Sequence, residues 1–185
     1  QLLVKDTLQQ LAEALSVDVM ITQRTDSGMA FVARELSRNI LRIDHPHNVC
    51  EPLHCTASGK SILAFTTEEH REYLISRIKF TRFTPKTICD QNELRDNLAA
   101  LAERGYATEE EELYRGVSCI AVPIYDQMCW PSYSLGTSLP CKMLDPAITE
   151  YLAQHLCRGA SKIRRLMRQY LMDPSVYAMK PNDSC

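Results

Sequence analysis

Residues 117–125 read Val-Ser-Cys-Ile-Ala-Val-Pro-Ile-Tyr, an almost continuous apolar run of strand-forming side chains. A run of this kind bounded by turn signals predicts a β-strand. Residues 126–130 then turn the chain, and residues 131–139 read as the antiparallel partner. A second pair of β-rich runs, 17–22 and 29–35, flanks Thr25-Asp26-Ser27-Gly28 and predicts another hairpin. Consecutive hairpins build antiparallel sheets, whereas a doubly wound parallel sheet needs a helical crossover between successive strands.

Helical signals separate and flank the hairpins. Val4, Leu8, Leu11 and Leu15 form one apolar stripe, with Lys5, Asp6, Gln9 and Glu13 on the other faces. Residues 44–52 read as a loop. Thr66 followed by Glu69 resembles a capping box, ahead of Tyr73, Leu74 and Ile78. Asp90 with Glu93 starts a further helix that carries Leu94, Leu98 and Leu101 and stops at Gly105. Asp145 as N-cap and Pro146 at the first helical position open the last helix. Its stripe is Ile148, Leu152, Leu156, Ile163 and Leu166, and the pattern fades from about Leu171. The expectation is one α+β domain over residues 1–170, an antiparallel sheet flanked by helices, with a poorly ordered tail at 171–185.

Composition narrows the function classes. Across 185 residues, 45% are hydrophobic, 24% are charged, and the formal net charge is -2. Such a balance suits a soluble globular domain and argues against nucleic-acid binding as this chain's own main task. No apolar run approaches the ~20 residues of a membrane span, and no signal peptide is legible at the start. The eight cysteines include no C-x-x-C pair, and several lie in apolar runs. Reduced thiols and a cytoplasmic location are therefore expected.

Four groups of residues are candidates for chemistry. Pro52-Leu53-His54-Cys55-Thr56-Ala57-Ser58-Gly59-Lys60 reads as a loop opening into a small-residue helix. Small side chains and unpaired N–H groups suit a carboxylate or phosphate, and they equally suit tight helix–sheet packing. Ser134, Gly136 and Ser138 share one strand face, opposite Tyr133, Leu135 and Leu139. That face is either a cavity wall or a solvated surface. His45, His47, Cys50, His54 and Cys55 crowd into one short stretch and could ligate zinc, although their spacing fits no standard zinc module. A metal-binding or enzymatic module using this cluster is the alternative reading. Cys119 with His54 as base is a conceivable nucleophile pair, against the commoner role of a strand cysteine as packing. Arg158, Lys162, Arg164, Arg165 and Arg168 make the last helix basic, which reads as a solvated face before it reads as a phosphate site.

The ordered set of motifs carries a resemblance. P-L-H-x-T-A-x-G-K at 52–60, T-x-x-T-I at 84–88, G-Y-A-x-x-x-E-E at 105–112 and G-V-x-C-I-A-x-P-I at 116–124 follow one another here. Over roughly residues 1–170 the chain is similar to the effector-binding domains of IclR-type transcriptional regulators. The resemblance implies a GAF-like fold with a pocket for a small effector, no enzymatic activity and no cofactor. It implies a winged helix-turn-helix for operator DNA, which is expected to be missing from this chain, and a homodimer or homotetramer. Carried onto matching positions, the effector-binding residues are Ala57, Ser58 and Gly59, Glu109, Cys119, and Gly136 with Ser138. The expected whole protein is a repressor of small-molecule catabolism that senses a small organic acid, with members that respond to sugar acids as the nearest in flavour. Two departures stand out. Gly136-Thr137-Ser138-Leu139-Pro140 has glycine where relatives often have serine, and lacks a glycine before the proline. The turn at 126–130 also lacks its usual glycine, leaving Met128-Cys129-Trp130 as a candidate contact surface.

Overall fold

Both expected hairpins form, and they join through their first and last strands. The computed structural model describes residues 2–38, 43 and 49–172. Strands β1 (Val19–Thr25), β2 (Gly28–Glu35), β3 (Ala107–Glu110), β4 (Val117–Tyr125) and β5 (Pro131–Pro140) make one sheet in the order β2-β1-β5-β4-β3. Every neighbouring pair is antiparallel. The helices are α1 (Leu2–Leu15), α2 (Ala57–Phe65), α3 (Glu68–Ser76), α4 (Gln91–Arg104) and α5 (Pro146–Met172), with a short 3-10 turn at Cys141–Met143. This is the α+β class with helices on both sheet faces.

Strand alternation divides the core into two layers. On one face, Leu8, Ala12, Leu152 and Leu156 of α1 and α5 pack against Ile21, Ile120, Val122 and Leu135. On the other, Ile62, Leu63, Leu74, Ile75, Leu94 and Leu98 join α2, α3 and α4 over the opposite side. The site lies in that second layer, where α2 crosses β4 and β5.

Several local expectations hold and several shift. Asp90 caps α4 by accepting from Asn92 and Glu93 N–H, and Gly105 ends it at φ +85°. Asp145 accepts from Ile148 N–H at 2.8 Å to start α5. The cap of α3, however, is Thr67, whose side chain accepts from His70 N–H, while Thr66 closes α2. β1 begins at Val19, later than expected, because Asp18 serves as an anchor. Its carboxylate accepts from Ser37 N–H and pairs with Arg34 at 2.9 Å. Tyr73 and Ile148 fall outside the buried stripes assigned to them, at 55% and 41% exposure. β3 is the element missed outright. The run Ala107-Thr108-Glu109-Glu110 has poor strand propensity, yet pairing with β4 makes it an edge strand that buries Ala107 and Glu109. His45, His47 and residues 173–185 lie outside the described residues.

Candidate effector-binding site

The start of α2 is fixed by one side chain. Thr56 Oγ1 donates to Pro52 O at 2.8 Å and accepts from Gly59 N–H at 3.0 Å, the N-cap arrangement. That leaves the N–H groups of Ala57 and Ser58 outside the cap at the mouth of the helix. A β-carbon on Gly59 would lie 2.4 Å from both Leu53 Cα and Leu53 O. Gly59 therefore lets the loop 52–56 fold back onto α2. Ser61 Oγ then sits 2.9 Å from Ser134 Oγ, locking α2 across β5.

Register brings the remaining groups into line. Cys119 is paired with Glu109 on β3 and with Ser138 on β5, so three strands present one polar row. Cys119 Sγ lies 3.1 Å from Ser138 Oγ, and its thiol also hydrogen-bonds to the Glu109 carboxylate. The second oxygen of Glu109 accepts from Glu112 N–H at 2.9 Å. Burial pushes the Glu109 carboxyl up to about 7, against the opposing pull of the Cys119 and Glu112 hydrogen bonds. Burial, and then the neighbouring Glu109 charge, raises the Cys119 thiol well above its ordinary range. A thiol so disfavoured from ionising is a wall, not a nucleophile.

Between the start of α2 and this row lies a cavity of about 380 Å³, counting the part open to solvent. Ala57, Ser58, Glu109, Cys119, Gly136 and Ser138 all line it. Gly59, the seventh residue carried over, does not; its place is the packing against Leu53. Met20, Phe31 and Tyr114 add apolar and aromatic surface, and Glu51 adds a second carboxylate. A β-carbon at Gly136 would stand 2.7 Å from Ile120 O. The glycine that departs from the family pattern is thus fitted to the present strand packing.

Sequence reasoning missed the charge pair beneath the cavity. Lys60 is 1% exposed, and its ammonium reaches Glu112 Oε1 at 2.6 Å and Asn97 Oδ1 at 3.2 Å. Burial raises the Glu112 carboxyl even though Lys60 pulls the other way. Thr87 Oγ1 donates to Glu112 O at 2.7 Å, so the loop before α4 is tied to the same point. The signal was a lysine inside a helix of small and apolar residues, which has to find a buried partner.

Among the described residues, the competing candidates are not brought together. His54 Nε2 faces Thr81 O at 3.1 Å and its ring packs on Phe80, while Cys119 lies in the cavity wall. Burial holds the His54 imidazole below its ordinary range. Cys50 is exposed and Cys55 fully buried, and no three metal-ligating side chains gather among the described residues. On α5, Arg164 stacks over Tyr125 and Lys162 reaches Gln10, while Arg158, Arg165 and Arg168 are exposed. Met128 is 79% exposed, and Trp130 meets His70 edge-on at 5.0 Å.

An antiparallel sheet between two helical layers, with a small cavity whose largely apolar wall carries a few convergent polar groups, is the build of a small-molecule-sensing domain. The chain belongs to the family described as "Bacterial transcriptional regulator IclR C-terminal", which it matches over residues 3–165. It is 28% identical over 136 residues to the acetate operon repressor of Salmonella typhimurium (strain LT2), covering 73% of this chain and 50% of that protein. The chain thus spans about half the length of that curated relative. Its fold matches the IclR crystal structure from Thermotoga maritima with a TM-score of 0.83 at 24% identity, covering 89% of this chain and 67% of that one. It also matches the inducer-binding domain of an Acinetobacter PobR double mutant, solved with 3-hydroxybenzoic acid. The TM-score there is 0.75 at 23% identity, over 87% of this chain and 95% of that one.

Proposed function

We propose that the cavity binds a small organic acid, a sugar acid being the nearest class, and that binding controls a transcriptional repressor. The observation that carries this reading is the convergence of Ala57, Ser58, Cys119 and Ser138 around one cavity at the start of α2. In it, the N–H groups of Ala57 and Ser58 take the effector's carboxylate, with the dipole at the start of α2 behind them. The Ser138 hydroxyl supplies a third donor, and Glu109 reads the rest of the molecule. The acid named for the PobR domain supports the class of ligand. Effector binding would shift the balance between arrangements of a homodimer or homotetramer, and with it the spacing of winged helix-turn-helix heads outside these residues.

A thermal-shift panel of gluconate, 2-oxobutyrate and 3-hydroxybenzoate, repeated with zinc and with chelator, tests the reading. An acid at a hundred times its Kd adds about 2.7 kcal/mol, which for a domain of this size raises Tm by roughly 5–10 °C. Stabilisation by zinc alone, lost on chelation and unmatched by any acid, would overturn it.

A further inference from the structure

The cavity has a charge problem for the ligand it is proposed to take. Among its described lining residues there is no lysine, arginine or histidine, while two are carboxylates, Glu51 and Glu109. A third carboxylate, Glu112, lies directly behind Glu109 and gives it a backbone N–H. The cation that acts on Glu109 is Lys60, and that ammonium is already bound to Glu112 at 2.6 Å. With Glu109 ionised, an entering carboxylate would meet like charge in a buried setting, where repulsion is poorly screened.

We propose that an acid effector enters this cavity together with one proton held on Glu109, whose protonated carboxyl donates a hydrogen bond to the effector. The proposal rests on the acid-effector reading above. Its geometry follows from β3. Glu109 is 3% exposed, lies in the polar row with Cys119 and Ser138, and borders the same space as Ala57 and Ser58. A carboxylic acid there does what a lysine would do at an exposed site, supplying a donor without adding another negative charge.

The groups facing Glu109 are divided: burial and the Glu112 charge favour the protonated carboxyl, while Lys60 and the hydrogen bonds from Cys119 and Glu112 N–H favour the ionised one, and burial is the largest effect. Cys119 on β4 keeps its proton, and so does the buried Cys55 thiol before α2. The Glu112 carboxylate opposes ionisation of Glu109, and Lys60 on α2 favours it. Glu51 borders the same cavity from the loop before α2, and Tyr114, also lining it, is held neutral chiefly by burial. Burial already brings Glu109 up to about 7, and a bound anion pushes it further up.

The sign follows from linkage. Below about pH 6, free Glu109 already carries the proton, so binding takes up none and affinity is flat. Above about pH 7, the proton has to be acquired on binding, and affinity falls by up to about tenfold per pH unit. Isothermal titration of the chain with gluconate, 2-oxobutyrate and 3-hydroxybenzoate at about pH 5.5, 7 and 8.5 reads this directly. Each pH is run in two buffers of different ionisation enthalpy, so that protons taken up are counted. The expected result is close to one proton per effector at about pH 8.5 and almost none at about pH 5.5. Glu109→Gln, which keeps a neutral donor but has no proton to gain, should abolish the proton uptake at about pH 8.5 and flatten the pH profile of whatever affinity it retains. Acid binding with no proton uptake at about pH 8.5 and a flat pH profile would overturn the proposal and leave the acid-effector reading standing. Absence of binding by all three acids at every pH would remove that reading and this inference with it.

Discussion

Lys60 and Glu112 show how much of the site depends on residues that never touch the cavity. Their 2.6 Å contact is buried at both ends, with side-chain exposures of 1% and 9%. A buried pair adds little net stability, because desolvation offsets most of the attraction, but losing one partner leaves an uncompensated carboxyl. Lys60→Met should therefore cost about 3–5 kcal/mol, read as a lowered urea midpoint. Lys60→Met combined with Glu112→Leu should recover most of that loss, since no charge is then stranded. A single variant as stable as the parent would contradict the ion-pair account. Neither side chain was legible in this role from sequence. An acidic run such as 109–112 looks like a solvated face, and only the pairing of Glu109 with Cys119 reveals that part of it is turned inward.

At the scale of elements, the hairpins and most helices were legible because their signals are local. Alternation, turn residues and caps such as Asp90, Gly105 and Asp145 act within a few residues of themselves. β3 was not legible, because its four residues become a strand only through β4, which is a tertiary cause. The cap of α3 was misplaced by one residue because Thr66 and Thr67 are both competent caps, and Thr66 is consumed in ending α2. The small-residue start of α2 was legible as a motif, yet sequence left pocket and packing as equal readings. The structure gives both roles to different residues of the same turn: Ala57 and Ser58 border the cavity, and Gly59 packs. Gly59→Ala should thus destabilise the fold by about 1–3 kcal/mol through a clash with Leu53 backbone that cannot yield cheaply. Equilibrium urea unfolding checks it, and an unchanged midpoint would mean that the loop 52–56 is free to move away.

At the scale of the molecule, the sheet works as a partition. One layer joins α1 and α5, the long helix with which the described chain ends, while the other holds α2, α3, α4 and the cavity. Glu109, Cys119 and Ser138 face the cavity, and their neighbours Ile120 and Leu139 face the α1–α5 layer. An effector that pulls on this row therefore pulls on strands whose other side supports the long helix. A signal can pass from cavity to α5 through β4 and β5 without crossing a loop. This is the physical content of calling the domain a sensor, and it all depends on the cavity being where the acid sits. The most direct measurement is an amide NMR titration of the chain with gluconate, 2-oxobutyrate and 3-hydroxybenzoate. The account predicts saturable shifts centred on Ala57, Ser58, Glu109, Cys119 and Ser138, with weaker changes along β4 and β5. Saturable binding whose shifts centre elsewhere, leaving those five amides unmoved, would contradict it.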